Sequence, residues 1–332
     1  MIGALCTAAL IASALLLTLV APRVLARWQR QRGAPAPALL LWQSMSVAGV
    51  VCALLAAPVA ALTSGLRHPV LLGLAITVSV GMLARVLWSG HRVGTDLRRL
   101  REEHCTMVDL LGERLEDLED GPSRAGGRPD PVHVLAHPSP TAFCLPGRGH
   151  RIVLSRAAVD RLGPEELRAV LAHEQAHLDH RHDLLLELFT VLHEAVPARV
   201  RAHAALHEVR LLAEVLADHR AVDRASAPAL ARALVAMVAP AAPVASTEVA
   251  ADEGGPDGAA GESTVRSPGV EQDVLDQPGM QHTLGAADTQ VGTRLRLLAE
   301  PRATAGLRLA LTGGAGAVLA LPVALLLLLC WT

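Results

Sequence analysis

Four runs of apolar residues constrain this chain more than any other feature. Residues 2–20, 38–62, 70–88 and 309–331 each supply about the twenty residues that a helix needs to cross a bilayer core. Hydrophobic residues make up 51% of the chain, and they are gathered into these runs rather than spread at core periodicity. The expected fold class is a mainly α integral membrane protein with four transmembrane helices. The first run, closed by Ala21-Pro22, is not built like a secretory signal, because no basic residue precedes it and Arg23, Arg27, Arg30 and Arg32 follow it.

Arginine placement orients the spans. The loop after the first run carries those four arginines, and the short loop at 63–69 carries only Arg67. Arg92, Arg98, Arg99 and Arg101 follow the third run, and Arg294, Arg296, Arg302 and Arg308 precede the fourth. By the positive-inside bias, both termini are expected outside and residues 91–308 in the cytoplasm, in a multi-pass protein of the plasma membrane. The lipid bilayer is therefore an expected partner. A net charge of −2 gives no electrostatic footprint for nucleic acid.

Within the cytoplasmic portion, Leu97, Leu100, Met107, Val108, Leu111, Leu115 and Leu118 recur at three- and four-residue steps. They predict an amphipathic helix over 91–120 that continues the third span and lays its stripe on the domain that follows. Residues 121–131 break the helix with Gly and Pro. Short strands are expected at 132–135, 142–145 and 151–154, with a turn at Pro146-Gly147-Arg148-Gly149 between the last two. A folded domain that contains these strands is expected over 121–238. Residues 239–290 are rich in Ala, Gly, Pro, Asp and Glu and read as a disordered insertion. A basic cytoplasmic helix is expected at 291–308, ahead of the fourth span.

The chemistry concentrates at His173-Glu174-Gln175-Ala176-His177, which reads H-E-x-x-H. Gly163-Pro164-Glu165-Glu166 makes a helix start, and Leu167, Val170 and Leu171 follow at helical spacing. Positions four apart share one helix face, so His173 and His177 can offer two imidazoles to one metal ion. Glu174 sits beside the first ligand, placed to take a proton from a water in the open coordination position. A third ligand is needed, and Glu214 is the candidate, on a second helical stretch over 209–218. Asp218, one turn on, is placed to hold a ligand histidine from behind. The alternative for this pair is a solvated acidic stripe facing Arg210 or Arg220. The remaining histidines at 180, 182, 193, 203, 207 and 219 read as structural or solvated. Cys6, Cys52, Cys105, Cys144 and Cys330 form no C-x-x-C pair and read as small buried apolar groups.

The segment from Leu167 through His177, with Arg181-His182-Asp183 and Glu214-Val215-Leu216-Ala217-Asp218, resembles an integral-membrane gluzincin. More narrowly it resembles the BlaR/MecR antirepressor metallopeptidases, and more distantly the HtpX and CAAX-prenyl membrane proteases. Pro146-Gly147-Arg148 and Ile152-Val153-Leu154-Ser155 are similar to that family's approach to the helix, so the likeness covers about 131–223. It implies a zinc endopeptidase whose cytoplasmic α+β, zincin-like domain, with a small sheet, hangs between membrane helices. It further implies that Zn²⁺ is the cofactor, that an edge strand holds the peptide substrate, and that the substrate is a cytoplasmic protein such as a transcriptional repressor. His182 stands out among the spare histidines because Arg181-His182-Asp183 matches the family's continuation. Arg294 falls where the family carries a basic helix, and a role in steadying the transition state is implied for it. Two other readings remain open: a quality-control protease of the HtpX kind, and a non-catalytic, zinc-stabilised membrane scaffold or sensor.

Overall fold

The computed structural model describes residues 2–63, 69–115, 131–147, 149–238 and 288–330. The loop at 64–68, the Gly/Pro break over 116–130 and most of the expected insertion, residues 239–287, lie outside the described residues. The described chain is mostly helical, with one small mixed sheet. Four of its helices are long and apolar enough to cross a membrane: Gly3–Arg27, Pro35–Thr63, Leu72–Leu111 and Ala305–Leu328.

The first span does not stop at Pro22. Helix α1 (Ile2–Leu15) passes through a π turn at Leu16–Val20 into α2 (Ala21–Arg27). The Ala21 amide bonds back five residues to the Leu16 carbonyl. That wider turn places Pro22 at the start of α2, where its missing N–H breaks no ladder bond. A 3-10 turn at Gln29–Gly33 then leads into α3 (Pro35–Thr63).

Helix α3 is the centre of the membrane bundle. It packs against α1, against α4 (Pro69–Leu111) and against the last span, α11 (Ala305–Cys330). Of its most apolar stretch 39% is buried inside the protein, against 6% for α4, so α4 is the more outward-facing of the two. Trp42, Met45 and Ala48 of α3 share a core with Phe189, Val209, Leu212 and Leu311. This core runs from the four long apolar helices into the domain that carries the sheet, so the domain rests on the bundle without a tether.

A buried polar cluster fixes that seating. Gln31 is fully buried; its Nε2 donates to the Leu25 carbonyl at 2.8 Å and to Glu208 at 3.3 Å, and its Oε1 accepts from Trp42 at 3.0 Å. Arg32 forks onto the same Glu208 carboxylate at 2.8 and 2.7 Å. Glu208 belongs to α8 (His203–Arg224), the helix that also carries Glu214 and Asp218.

Helix α4 has 43 residues, about 65 Å of helix, roughly twice the thickness of a bilayer core. It leaves the apolar stretch near Trp88 and continues as the expected amphipathic helix. Arg85 does more than reach toward the interface: its Nε donates to the Ala195 carbonyl at 2.6 Å, at the end of α7 (His182–Ala195). Ser89 donates to Val191 O at 2.9 Å, and Arg101 pairs with Glu187 at 3.2 Å and Asp183 at 3.6 Å. The helix was expected to reach 120 but ends at Leu111, with β1 following at Glu113–Arg114 and Leu115 outside it; at Gly112 a Cβ would lie 2.6 Å from the Val108 carbonyl.

The sheet has the order β1-β2-β4-β3, from β1 (Glu113–Arg114), β2 (Val132–Leu135), β3 (Ala142–Leu145) and β4 (Arg151–Ser155). β2 and β4 are parallel, with Val132 opposite Ile152; β3 and β4 are antiparallel, with Phe143 opposite Val153. The three expected strands are present, and β1 adds a short edge. Val132, Ala142, Ile152 and Leu154 face a core shared with α6 (Pro164–Asp179) and α9 (Ala227–Val238). Leu135, Phe143, Leu145 and Val153 face Val108 near the end of α4. Burial on both faces explains why these strands are mostly apolar without alternation, with His133 the buried polar exception in β2. Ser155 ends β4 and caps α5 (Arg156–Arg161), accepting from the Ala158 amide at 3.0 Å.

The basic helix expected over 291–308 is two elements. Helix α10 (Asp288–Ala299) starts inside the expected insertion, and α11 begins at Ala305. Pro301 lies between them, where a ring in place of an N–H interrupts the ladder.

Glu208→Ala should destabilise the protein by about 3 kcal/mol, since it strands Arg32 and Gln31 in a buried setting. Glu113→Ala, which removes only the exposed partner of Arg156, should cost under about 1 kcal/mol. Chemical denaturation of both variants in the same detergent tests the contrast.

Candidate metal centre

Helix α6 starts as its sequence directs. Pro164 occupies its first turn, and the Glu166 carboxylate accepts the Gly163 amide at 3.1 Å. Its buried face, Ala169 to Leu178, is pressed between the sheet and α8, and it carries His173, Glu174 and His177 inward. The chain then turns sharply at Arg181, whose φ of 48° is the left-handed conformation seldom taken by a side-chain-bearing residue. That turn starts α7 at once and brings His182 back against His177.

The His173 and His177 Nε2 atoms lie 3.1 Å apart. Glu214 approaches from α8, with Oε2 3.4 Å from His173 Nε2 and Oε1 3.5 Å from His177 Nε2. Donors around a tetrahedral zinc with bonds of about 2.0–2.1 Å sit about 3.3 Å from one another, so the three spacings match such a site. His173, His177 and Glu214 are the one group among the described residues able to hold a metal ion. Glu214 is 8% exposed and faces these histidines, so it is not part of a solvated acidic stripe.

Both histidines are held from behind. His173 Nδ1 lies 3.0 Å from Asp218 Oδ1, and His177 Nδ1 lies 2.9 Å from His182 Nδ1. A partner at each Nδ1 leaves each Nε2 lone pair for the metal. The role of His182 was not assigned from sequence; its only signal there was the Arg181-His182-Asp183 continuation.

Arg294 arrives from α10 and is 2% exposed. Its Nε donates to Asp218 Oδ2 at 2.8 Å, a second nitrogen donates to Oδ1, and Nη1 lies 3.1 Å from Glu214 Oε2. The guanidinium is thus committed to two carboxylates, the candidate ligand Glu214 and Asp218 behind His173, an arrangement that suits it to holding both in place.

Glu174 is different. It is 1% exposed, and neither carboxylate oxygen has a hydrogen-bond partner among the described residues. Burial pushes its pKa up to about 7. The Cys144 thiol of β3 neighbours it, and burial followed by the Glu174 charge holds that thiol well above its usual range. Glu174, Glu214 and Asp218 with Arg294 leave two buried negative charges when the histidines are neutral, which is the complement of a divalent cation.

Burial lowers the His173 pKa, but hydrogen bonds to Asp218 and Glu214 outweigh it, and the net value is raised to about 9. Burial acts to raise the carboxylates, yet Arg294 beside Asp218 draws that group down to about 2, and the charges of His177 and Arg294 hold Glu214 well below its usual range. A cavity of about 330 Å³ opens onto His177 and His182, between β3 and α4.

The geometry is that of a buried two-histidine, one-carboxylate metal site with an unpartnered acid beside it. Residues 113–255 match the model of peptidase family M48. This M48 segment runs from β1 past α9 and contains His173, Glu174, His177, Glu214 and Asp218, while Arg294 reaches the site from beyond it. The expectation of a membrane metallopeptidase agrees with the match. No solved structure matches the chain.

A metal must displace a proton from His173, whose pKa of about 9 lies above neutrality. Zinc affinity of the metal-free protein should therefore weaken about tenfold for each pH unit below about 9. Competition titrations with a zinc indicator between pH 6 and 9 test this; a flat profile would contradict the His173 assignment.

Proposed function

We propose that this protein is a zinc endopeptidase of the plasma membrane that cuts a protein substrate on the cytoplasmic face. The observation that carries the reading is the convergence of two imidazole Nε2 atoms and Glu214 beside the unpartnered carboxylate of Glu174. His173, His177 and Glu214 would hold Zn²⁺, which when bound supplies an activated water and polarises the scissile carbonyl.

The chain's own residues do the rest. Glu174, with a pKa of about 7, takes the attacking water's proton on a carboxylate oxygen and later delivers it to the leaving amine. Asp218 and His182 keep the Nδ1 side of each ligand histidine occupied. Arg294 holds Asp218 and Glu214 in place. The outer edge of β3 has no strand partner among the described residues, and it supplies main-chain donors and acceptors for an extended peptide.

The domain boundaries follow from the same reading: spans near 2–20, 38–62, 70–88 and 309–331, a peptidase domain over 121–238, and both termini outside. Arginines flanking the cytoplasmic portion support that orientation. The likeness to the antirepressor peptidases supports a cytoplasmic transcriptional repressor as substrate. The HtpX-type alternative, quality control of membrane proteins, is favoured by the continuous core between bundle and domain, which puts the site next to the bilayer. A purely structural zinc site has no use for Glu174, because a buried carboxylate without partners is costly to keep.

Glu174→Gln should retain one zinc per chain and lose at least about 100-fold in peptidase activity, whereas His177→Ala should lose both. Metal analysis beside casein cleavage by the detergent-purified protein checks both variants. Full activity of the Glu174→Gln variant would remove the mechanism.

A further inference from the structure

The apolar stripe of α4 does not close onto the peptidase domain along its whole length. Near its end it does, where Val108 is 1% exposed against Phe143 and Val153. One and a half turns earlier the stripe opens. Val93, Leu97, Leu100 and His104, spaced four, three and four apart, lie on one helix face and line the cavity over His177 and His182. Phe143 and Leu145 of β3 line it as well. The space would hold roughly ten waters at about 30 Å³ each, ample for a leucine or phenylalanine side chain.

The position of this cavity identifies its occupant. It shares His177 with the candidate metal site and borders the strand whose outer edge has no strand partner among the described residues. An extended peptide added to that edge would point alternate side chains toward the face bearing Phe143 and Leu145, and so toward α4. Most charged groups around the cavity are already paired. Arg101 is bound to Glu187 and Asp183, and Asp96 lies 4.0 Å from Arg92. Arg210, one turn ahead of Glu214 on α8, is the charged group there with no such pairing, and burial lowers its pKa.

We propose that the membrane-emergent helix α4 forms the specificity wall of the peptidase, with Val93, Leu97 and Leu100 receiving a large aliphatic or aromatic side chain next to the scissile bond. This rests on the peptidase reading above and adds the substrate class. Leu97 and Leu100 are specificity-determining residues, contributed by the same helix that forms the third span. A substrate is then chosen partly by a surface whose position is set within the bilayer.

The test uses the full-length, zinc-loaded protein in lipid nanodiscs. A peptide library, analysed by mass spectrometry, should show cleavage enriched beside Leu, Phe or Met. Leu100→Trp, which fills the cavity, should lower the ratio of kcat/KM for a Leu peptide over its Ala counterpart at least tenfold, with zinc content unchanged. Leu97→Ala should broaden the preference toward Trp.

A second readout does not need turnover. In the Glu174→Gln background, fluorescence anisotropy should show the Leu peptide binding more tightly than the Ala peptide, and Leu100→Trp should abolish the difference. If zinc-loaded wild type cuts nothing while this binding difference holds, the peptidase reading fails and the pocket stands. No apolar enrichment, enrichment beside Asp or Glu that depends on Arg210, or an equal effect of Leu100→Trp on both peptides would overturn the proposal.

Discussion

The fold around the candidate metal centre depends on burying negative charge. Glu174, Glu214 and Asp218 are each less than 9% exposed, in a domain whose core is otherwise Leu, Val and Ala. An isolated carboxylate in such a place costs several kcal/mol, so each needs a countercharge or must take up a proton. Arg294 provides one positive charge, shared between Asp218 and Glu214. Raising His173 to about 9 provides a second while no cation is bound. Glu174 has neither and shifts to about 7. The two imidazoles, the two supported acids and the one unsupported acid form a single electrostatic unit, and changing one member alters the protonation of the others.

The second constraint is mechanical. A peptidase domain beside a bilayer can hang on a linker or be built into the bundle. Here it is built in. Trp42 of α3 meets Phe189 of α7 edge to face, and the Gln31–Glu208–Arg32 cluster joins the connection between the first two spans to the helix that carries Glu214. Helix α4 runs from the membrane to the sheet without interruption. The helices that carry the candidate ligands and the membrane spans therefore share one packed core.

Much of this was legible in the sequence. The four apolar runs became four long helices, and the strands at 132–135 and 142–145 formed where short, mainly apolar segments predicted them. The H-E-x-x-H spacing and the pair at 214 and 218 each pointed to side chains on one helix face, and the fold brings the two faces together. What was not legible depended on three dimensions. Pro22 read as a stop because a π turn leaves no mark in composition. The task of Arg294 could not be separated from that of a membrane-flanking arginine until α10 was seen packed on α8. His182 stood out only through the Arg181-His182-Asp183 continuation and carried no role, since its position depends on a left-handed turn at Arg181 that the residue type does not announce.

Arg294 has one more consequence, which concerns the order of synthesis. It lies 80 residues beyond Glu214 in the chain and only just ahead of the last membrane helix. During translation the motif helix, both ligand histidines and Glu214 are made long before the cation that neutralises Glu214 and Asp218. Until α10 docks, those acids must stay hydrated or protonated, and the site has no stable buried form. The order of residues along the chain thus acts as a timer, leaving the candidate metal centre without its arginine until α10 has been made.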